Sequence, residues 1–138
     1  MRIVADTNIV LSGLLWQGPP RRLIDLGRER ALTLCTSLTL LAELAEVIGR
    51  PKFAQRVQAA GLSAATLVQD YARLAEIVEP ALLPTPVSRD PDDDQVLACA
   101  LAAEAELIVS GDRDLIDLAA FRHIRILTAS QALGVLGR

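Results

Sequence analysis

Acidic residues follow two of the apolar runs that read as buried strands. Asp6 ends the run at residues 2–5, and Asp112 comes just after the run at residues 107–110. Because parallel strands end at the same edge of an open sheet, neighbouring strands bring these two carboxylates together. The structural alternatives are a helix cap for Asp6 and an ordinary turn residue for Asp112.

A run of aspartates at positions 90 and 92–94 precedes an apolar helical pattern. Asp92 with Gln95 fits a capping box at the helix start, which gives Asp92 a structural role. Helical spacing sets Asp94 above a stripe of apolar residues that faces the sheet. Asp94 is therefore the first choice for a functional acid, and Asp93, on a more mixed face, is the alternate.

The helical segment at residues 38–48 carries two glutamates of different character. Glu43 lies between apolar residues on its face and points partly inward, whereas Glu46 can pair with Arg50 at the surface. An inward carboxylate is costly unless a metal or a hydrogen-bond network receives it. A Glu43 side chain that tilts out to solvent is the alternative reading.

Carboxylates gathered at one site need compensation. Two unit charges about 4 Å apart interact by roughly 4 kcal/mol at an effective dielectric near 20, so protonation or a bound cation must relieve their repulsion. Ligand sets made only of oxygen suit Mg²⁺ or Mn²⁺ rather than Zn²⁺. The single histidine and the two separated cysteines offer no zinc site. The acids therefore predict a site for a hard divalent cation.

The elements that must position these acids are those of an α/β protein. The 138 residues are 51% hydrophobic but only 3% aromatic, so aliphatic side chains must build the core. That composition suits a parallel sheet covered by helices on both faces. Helical segments, among them residues 52–60 and 92–105, separate strand-like runs at residues 2–5, 32–35, 77–79, 107–110 and 124–127. This alternation implies βαβ units, and we expect one domain over residues 1–138.

The net charge of −3 by itself favours an acidic domain that does not bind nucleic acid. The bases, however, are almost all arginines, whose planar guanidinium can bond two phosphate oxygens, and a cation among the acids would offset their charge. No apolar run approaches the roughly 20 residues of a membrane span, and the first residues do not resemble a signal peptide. We expect a soluble cytoplasmic protein that does not bind a membrane.

Four segments in order carry a resemblance to a known family: VADTN at residues 4–8, LAEL at 41–44, the acidic run at 90–94, and IVSGDRDL at 108–115. With these segments the chain resembles a PIN domain, of the kind found in the VapC-like toxins of bacterial toxin–antitoxin pairs. The resemblance implies a three-layer α/β/α fold with a central parallel sheet of order 3-2-1-4-5.

The same resemblance implies a ribonuclease that uses Mg²⁺ or Mn²⁺. It carries the catalytic set over onto Asp6, Glu43, Asp94 and Asp112, and the metal ligands among these are Asp6, Asp94 and Asp112. Asp93 and Asp114 are alternate ligands, and the supporting residues are Thr7, Asn8 and Ser110. The implied partners are an RNA substrate, an antitoxin protein and a second copy of the chain. Candidate contacts to the RNA backbone are Arg21, Arg22, Arg50, Lys52, Arg89 and Arg113.

Other classes that place an aspartate after the first strand fit less well. A receiver domain also needs a lysine after a late strand, but Lys52, the only lysine, lies in the helical middle. A phosphatase of the haloacid dehalogenase type has Asp-x-Asp where this chain has Asp6, Thr7 and Asn8. The non-enzymatic alternative is a silent PIN-like module that binds RNA or protein, although a pure RNA binder gains nothing from acids that repel phosphate.

Overall fold

In the computed structural model, which describes residues 1–137, six strands form one sheet and eight helices surround it. The strands are β1 (Arg2–Ala5), β2 (Thr33–Thr36), β3 (Glu76–Ile77), β4 (Leu107–Val109), β5 (Ala120–Phe121) and β6 (Ile124–Leu127). The helices are α1 (Thr7–Leu15), α2 (Pro19–Arg28), α3 (Leu38–Ile48), α4 (Ala54–Ala59), α5 (Ala64–Leu74), α6 (Pro91–Ala102), α7 (Arg113–Leu118) and α8 (Ala129–Leu136). No helix among residues 1–137 is long and apolar enough to cross a membrane.

The sheet has the order β3-β2-β1-β4-β6-β5, and β5 alone runs antiparallel, against β6. The predicted order 3-2-1-4-5 is confirmed for the five parallel strands, and β5 is an extra edge strand. The sequence gives no sign of β5, because Ala119 and Arg122 adopt positive φ on either side of it without a glycine. The order reverses between β1 and β4, where an open sheet of this kind forms its binding crevice.

Side chains alternate along the central strands and so feed two cores. Ile3 and Ala5 pack on one side of β1 with residues of α1, α2, α3, α5 and α8. Val4 packs on the other side with residues of α6 and α7, and Ile108 of β4 does the same. This strand periodicity produces the three layers that the aliphatic composition predicted.

The start of α6 differs from the prediction. The helix begins at Pro91, and the Asp90 side chain caps it by accepting a hydrogen bond from the amide of Asp92 at 2.9 Å. The predicted capping box of Asp92 with Gln95 is therefore wrong. A proline is favoured at the first helical position because its missing N–H is unpaired there anyway. Likewise, the segment predicted as one helix at residues 52–60 divides into a 3-10 turn, Pro51–Phe53, and the short α4.

Helices α1 and α2 approach each other closely at Gly13. A Cβ atom at this position would lie 2.5 Å from Ile24 Cδ1 and 2.9 Å from the carbonyl oxygen of Pro20. The backbone oxygen cannot yield as a flexible side chain can, so only glycine fits. Because Asp6 caps the start of α1, this contact also fixes the orientation of the helix that follows the first acid.

The substitution Gly13→Ala should lower the free energy of unfolding by about 1–3 kcal/mol, because the added methyl group overpacks the α1–α2 contact. Gly134→Ala in α8 is the matched control, since its Cβ would meet nothing within 4 Å. The control should raise the stability by no more than about 1 kcal/mol through its better helix propensity. Urea unfolding of both variants measures this, and equal stabilities would contradict the close approach.

Candidate active site

A cleft of about 350 Å³ opens at the carboxyl ends of β1 and β4, and six carboxylates border it. They are Asp6, Glu43, Asp90, Asp92, Asp93 and Asp112. They come from the ends of two neighbouring strands, from α3 and from the first turn of α6. The cleft therefore lies at the reversal of strand order, as expected for this topology.

Ser110 joins the two strand-end acids. Its hydroxyl donates a hydrogen bond to Asp6 Oδ2 and accepts one from the amide of Asp112 at 2.9 Å. Asp6 Oδ1 also accepts from the amide of Ile9 at 2.9 Å, so Asp6 caps α1 as well as facing the cleft. Asp112 caps α7 in the same way, accepting from the amide of Asp114 at 2.8 Å. The structural and functional readings of these acids are thus compatible.

Three carboxylates converge more tightly than the rest. One oxygen from each of Asp90, Asp93 and Asp112 lies within 4.8 Å of the other two. Asp93 is buried, with 5% of its surface exposed, while Asp90 and Asp112 are both more exposed than Asp93. We call these three residues the acidic triad. It joins the start of α6 to the loop that follows β4.

The loop before α6 decides which aspartate of the run enters the cleft. Asp94 turns away from it and accepts hydrogen bonds from the amides of Ser88 at 2.8 Å and Val87 at 3.2 Å. Asp93 faces the cleft and accepts a bond from Ser88 Oγ at 3.1 Å. Asp94 therefore anchors the incoming loop, and the structure does not bring it to Asp6 and Asp112.

The prediction that Asp94 rather than Asp93 is the functional acid depends on an apolar stripe along α6, and this stripe does not distinguish the two residues. Residues 96–100 of α6 are all buried, so the helix is covered over a wide arc. Val96, one turn after Asp93, is part of that arc and marks the face of Asp93 as inward too. Asp90 was not singled out as a site residue. Pro91 is the residue that could have indicated the position of Asp90, because a proline at the first helical position makes the preceding residue the cap.

The remaining predicted residues divide between the cleft and its rim. Thr7 and Asn8 border the cleft, with Thr7 buried and Asn8 exposed. Asp114 lies at the rim instead, where it pairs with Arg89 at 2.7 Å. The arginine is 88% exposed, so the pair contributes little to stability.

Glu43 and Glu46 lie one turn apart on α3 and face different surroundings. Glu43 is half-buried in the cleft, and Glu46 forms a surface ion pair with Arg50 at 2.8 Å. Burial raises the pKa of Glu43, and the charges of Asp92 and Asp6 add to the rise. The nearby Thr7 hydroxyl opposes the rise. Among the described residues 1–137, however, this hydroxyl has no partner at hydrogen-bond geometry.

The same causes act on the aspartates. Burial raises the pKa of Asp93 to about 6, helped by the charges of Asp112 and Asp90 and opposed by the Ser88 hydroxyl. Burial also raises the pKa of Asp6, and the charge of Asp112 adds to the effect, while the bonds from Ser110 and Ile9 oppose it. The site without a cation therefore resists full ionisation.

The donor set fits a hard divalent cation. Mg²⁺ and Mn²⁺ bind carboxylate oxygens, and Mg²⁺ ligands lie at about 2.0–2.1 Å, so opposite oxygens around one ion lie about 4 Å apart. The three oxygens of the acidic triad lie within 4.8 Å of one another, so one ion could bind all of them once the side chains rotate towards it. A cation there would offset the carboxylate repulsion that adds to burial in raising the pKa values of Asp6, Glu43 and Asp93.

The chain matches the family model described as the PIN domain over residues 2–114. The match covers most of the chain, and the protein therefore belongs to the PIN domain family, as its sequence predicted. PIN domains are commonly metal-dependent nucleases, and the acidic triad of this member could hold a metal. No curated protein matches the chain.

Without metal, the protein should lose stability as the pH rises from about 4 to about 7. Asp93 has a pKa of about 6 in the folded protein and roughly 3.9 in an unfolded chain. Between these values the folded state binds more protons than the unfolded state, so the free energy of unfolding falls with pH. The raised pKa values of Asp6 and Glu43 act in the same direction.

Urea unfolding in the presence of a chelator, repeated across this pH range, tests the prediction. Asp93→Asn should flatten the decline, because its neutral amide has no proton to lose. Asp117→Asn, on the exposed side of α7, is the control and should keep the wild-type slope. A slope that Asp93→Asn leaves unchanged would show that Asp93 is not the titrating group.

Proposed function

We propose that this protein is an endoribonuclease that uses Mg²⁺ or Mn²⁺ to hydrolyse RNA phosphodiester bonds. The observation that carries the proposal is the acidic triad at the carboxyl edge of β1 and β4. Asp90, Asp93 and Asp112 would hold the cation, with the buried Asp6 carboxylate beside them. When bound, the cation would lower the pKa of a coordinated water and offset charge on the phosphate.

Several protein groups then have defined tasks. The Ser110 bridge fixes Asp6 and the backbone of Asp112 relative to each other. Glu43, which also borders the cleft, has a raised pKa and so takes up a proton more readily than an ordinary glutamate. We assign it the positioning and deprotonation of a water molecule.

One wall of the cleft suits a polyanion. Arg50, Lys52 and Phe53 border the acids from the side of the 3-10 turn. The positive charge of Arg50 and Lys52 can hold a phosphate backbone while the carboxylates hold the cation. A site with carboxylates alone would repel the substrate, so the pairing of acids with this wall supports a nucleic-acid substrate.

The toxin role belongs to the same proposal and rests on the resemblance to toxin–antitoxin proteins. It includes an antitoxin that covers the acidic cleft, a homodimer, and action in the cytoplasm. The competing proposal is a PIN module that binds RNA or protein without cutting it. The number of carboxylates in the cleft favours the enzyme, because in a binding module their mutual repulsion would be unfavourable and would serve no function.

Asp93→Asn and Asp6→Asn should each reduce metal-dependent cleavage of a mixed RNA pool by at least about 100-fold, as expected for groups that hold or adjoin the metal. Asp94→Asn should have a much smaller effect, because Asp94 anchors the loop and does not face the cleft. A gel assay with Mn²⁺ measures the rates. A larger loss in Asp94→Asn than in Asp93→Asn would contradict the assignment.

Glu43→Gln and Glu46→Gln form a matched pair on α3. The first should lower the cleavage rate by about 10-fold or more, because it removes a group assigned to proton transfer. The second removes only a surface ion pair and should retain the wild-type rate. If both variants behave alike, the cleft-facing position of Glu43 has no catalytic meaning.

Metal binding should be visible without any substrate. At a concentration 100 times its dissociation constant, a ligand that binds only the folded state stabilises it by about 2.7 kcal/mol. Thermal unfolding of the wild type should therefore shift upward with Mn²⁺, and Asp93→Asn should show much less of this shift. An equal shift in both proteins would place the metal elsewhere.

A further inference from the structure

A row of cationic and aromatic side chains leads away from the acidic cleft. It consists of Lys52, Phe53, Trp16 and Arg56, and we call it the cation–aromatic row. The Lys52 ammonium lies 5.1 Å from the centre of the Phe53 ring, and the Arg56 guanidinium lies 5.2 Å from the Trp16 ring. The two rings meet edge to face with centroids 6.2 Å apart.

The aromatic members are unusual in this chain. The sequence has only four aromatic residues, one Trp, one Tyr and two Phe, and two of them lie in this row. Tyr71 is buried in the core, whereas Trp16 remains 37% exposed and Phe53 is only half-buried. Core packing therefore does not account for Trp16, the largest side chain of the protein.

The row joins two concave surfaces. Lys52 and Phe53 border the acidic cleft, while Trp16 and Arg56 border a groove of about 450 Å³ on the far side of the rings. Arg21 and Arg28 also border this groove, as do Asp25 and Asp70. The segment at residues 50–56 contributes three cations and no acid. A polyanion that leaves the acidic cleft along this segment meets these three cations in succession, of which Arg50 is paired with Glu46.

Hydrogen bonds to the backbone hold this surface in place. Arg56 Nη2 donates to the carbonyl oxygen of Leu15 at 2.8 Å, directly before Trp16 in the chain. Arg21 Nη1 donates to the carbonyl oxygen of Gly13 at 3.2 Å. Both arginines are therefore oriented before any ligand binds, which lowers the entropic cost of binding.

We propose that the cation–aromatic row binds the unpaired nucleotides of a single-stranded RNA substrate next to the bond that the acidic cleft cleaves. Unpaired bases stack on exposed rings and on guanidinium planes, and the cations bind the phosphates between them. Paired bases are already stacked in their helix, so a duplex cannot use the row. The proposal rests on the proposed nuclease function and adds the residues that bind the strand beside the cleft.

Binding is measured in the Asp93→Asn background without metal, so that no RNA is cut. The probe is a fluorescein-labelled 12-nucleotide RNA without secondary structure, and the same sequence as a duplex is its comparison. The row variants are Lys52→Gln, Phe53→Leu, Trp16→Leu and Arg56→Gln. The matched control combines Phe121→Leu with Arg122→Gln, another cation over a ring, 5.5 Å apart, on the edge strand β5 and the residue after it.

Each aromatic substitution should weaken binding of the single strand by about fivefold or more, which corresponds to the lower end of measured stacking contributions. Lys52→Gln and Arg56→Gln should each reduce the salt dependence of the dissociation constant, by about 0.7 in the logarithmic slope for each lost phosphate contact. The control variant should bind as the parent does, and the duplex should bind weakly to every protein.

Cleavage in the otherwise wild-type background separates this proposal from the nuclease itself. A trinucleotide that occupies only the acidic cleft should be cut equally by the wild type and by Trp16→Leu and Arg56→Gln, whose residues lie outside that cleft, and this also shows that these two variants fold. The 12-nucleotide strand should be cut with a higher KM by the row variants. A wild type that cuts neither RNA contradicts the nuclease function.

Equal KM values for the 12-nucleotide strand in all proteins would contradict the proposed role of the cation–aromatic row but not the nuclease function. So would a change of oligomeric state in the row variants, seen by size-exclusion chromatography, together with unchanged RNA binding. That result would assign the exposed rings to a contact between protein chains.

Discussion

The Ser110 hydroxyl bonds both to the Asp6 carboxylate and to the amide of Asp112, and the geometry of the cleft depends on this bridge. It connects the end of β1 to the loop after β4 at the reversal of strand order. Without it, two carboxylates that repel each other would have no shared partner. The bridge uses only the backbone amide of Asp112, so the Asp112 carboxylate can face Asp90 and Asp93 and complete the acidic triad.

Helix capping and active-site construction use the same carboxylates in this fold. Asp6, Asp90 and Asp112 each accept a backbone amide at the start of a helix, so each is oriented by the chain itself. The partial positive charge at a helix N-terminus also favours the ionised carboxylate and offsets part of the repulsion. Asp93 instead accepts the Ser88 hydroxyl, and burial raises its pKa to about 6.

The fold could be predicted from the sequence wherever a type of residue has a single structural role. Alternating aliphatic runs specified the parallel strands, and the carboxyl ends of β1 and β4 specified the position of Asp6 and Asp112. The extra strand β5 was not readable, because residues without glycine adopt positive φ around it. That Asp93 rather than Asp94 faces the cleft was not readable either, since the deciding hydrogen bonds come from the backbone of Val87 and Ser88. Backbone amides carry no sequence signal of their own.

Acids and bases are segregated around the cleft in a way that the net charge of −3 conceals. The carboxylates gather at the ends of β1 and β4 and at the start of α6, whereas the cations of residues 50–56 occupy one wall and continue past Trp16. Local fields, screened over roughly 10 Å at ordinary salt, are set by such neighbours rather than by the total charge. A bound divalent cation would offset part of the charge of the first region and leave the second, so the cations of residues 50–56 would lead to the candidate metal site.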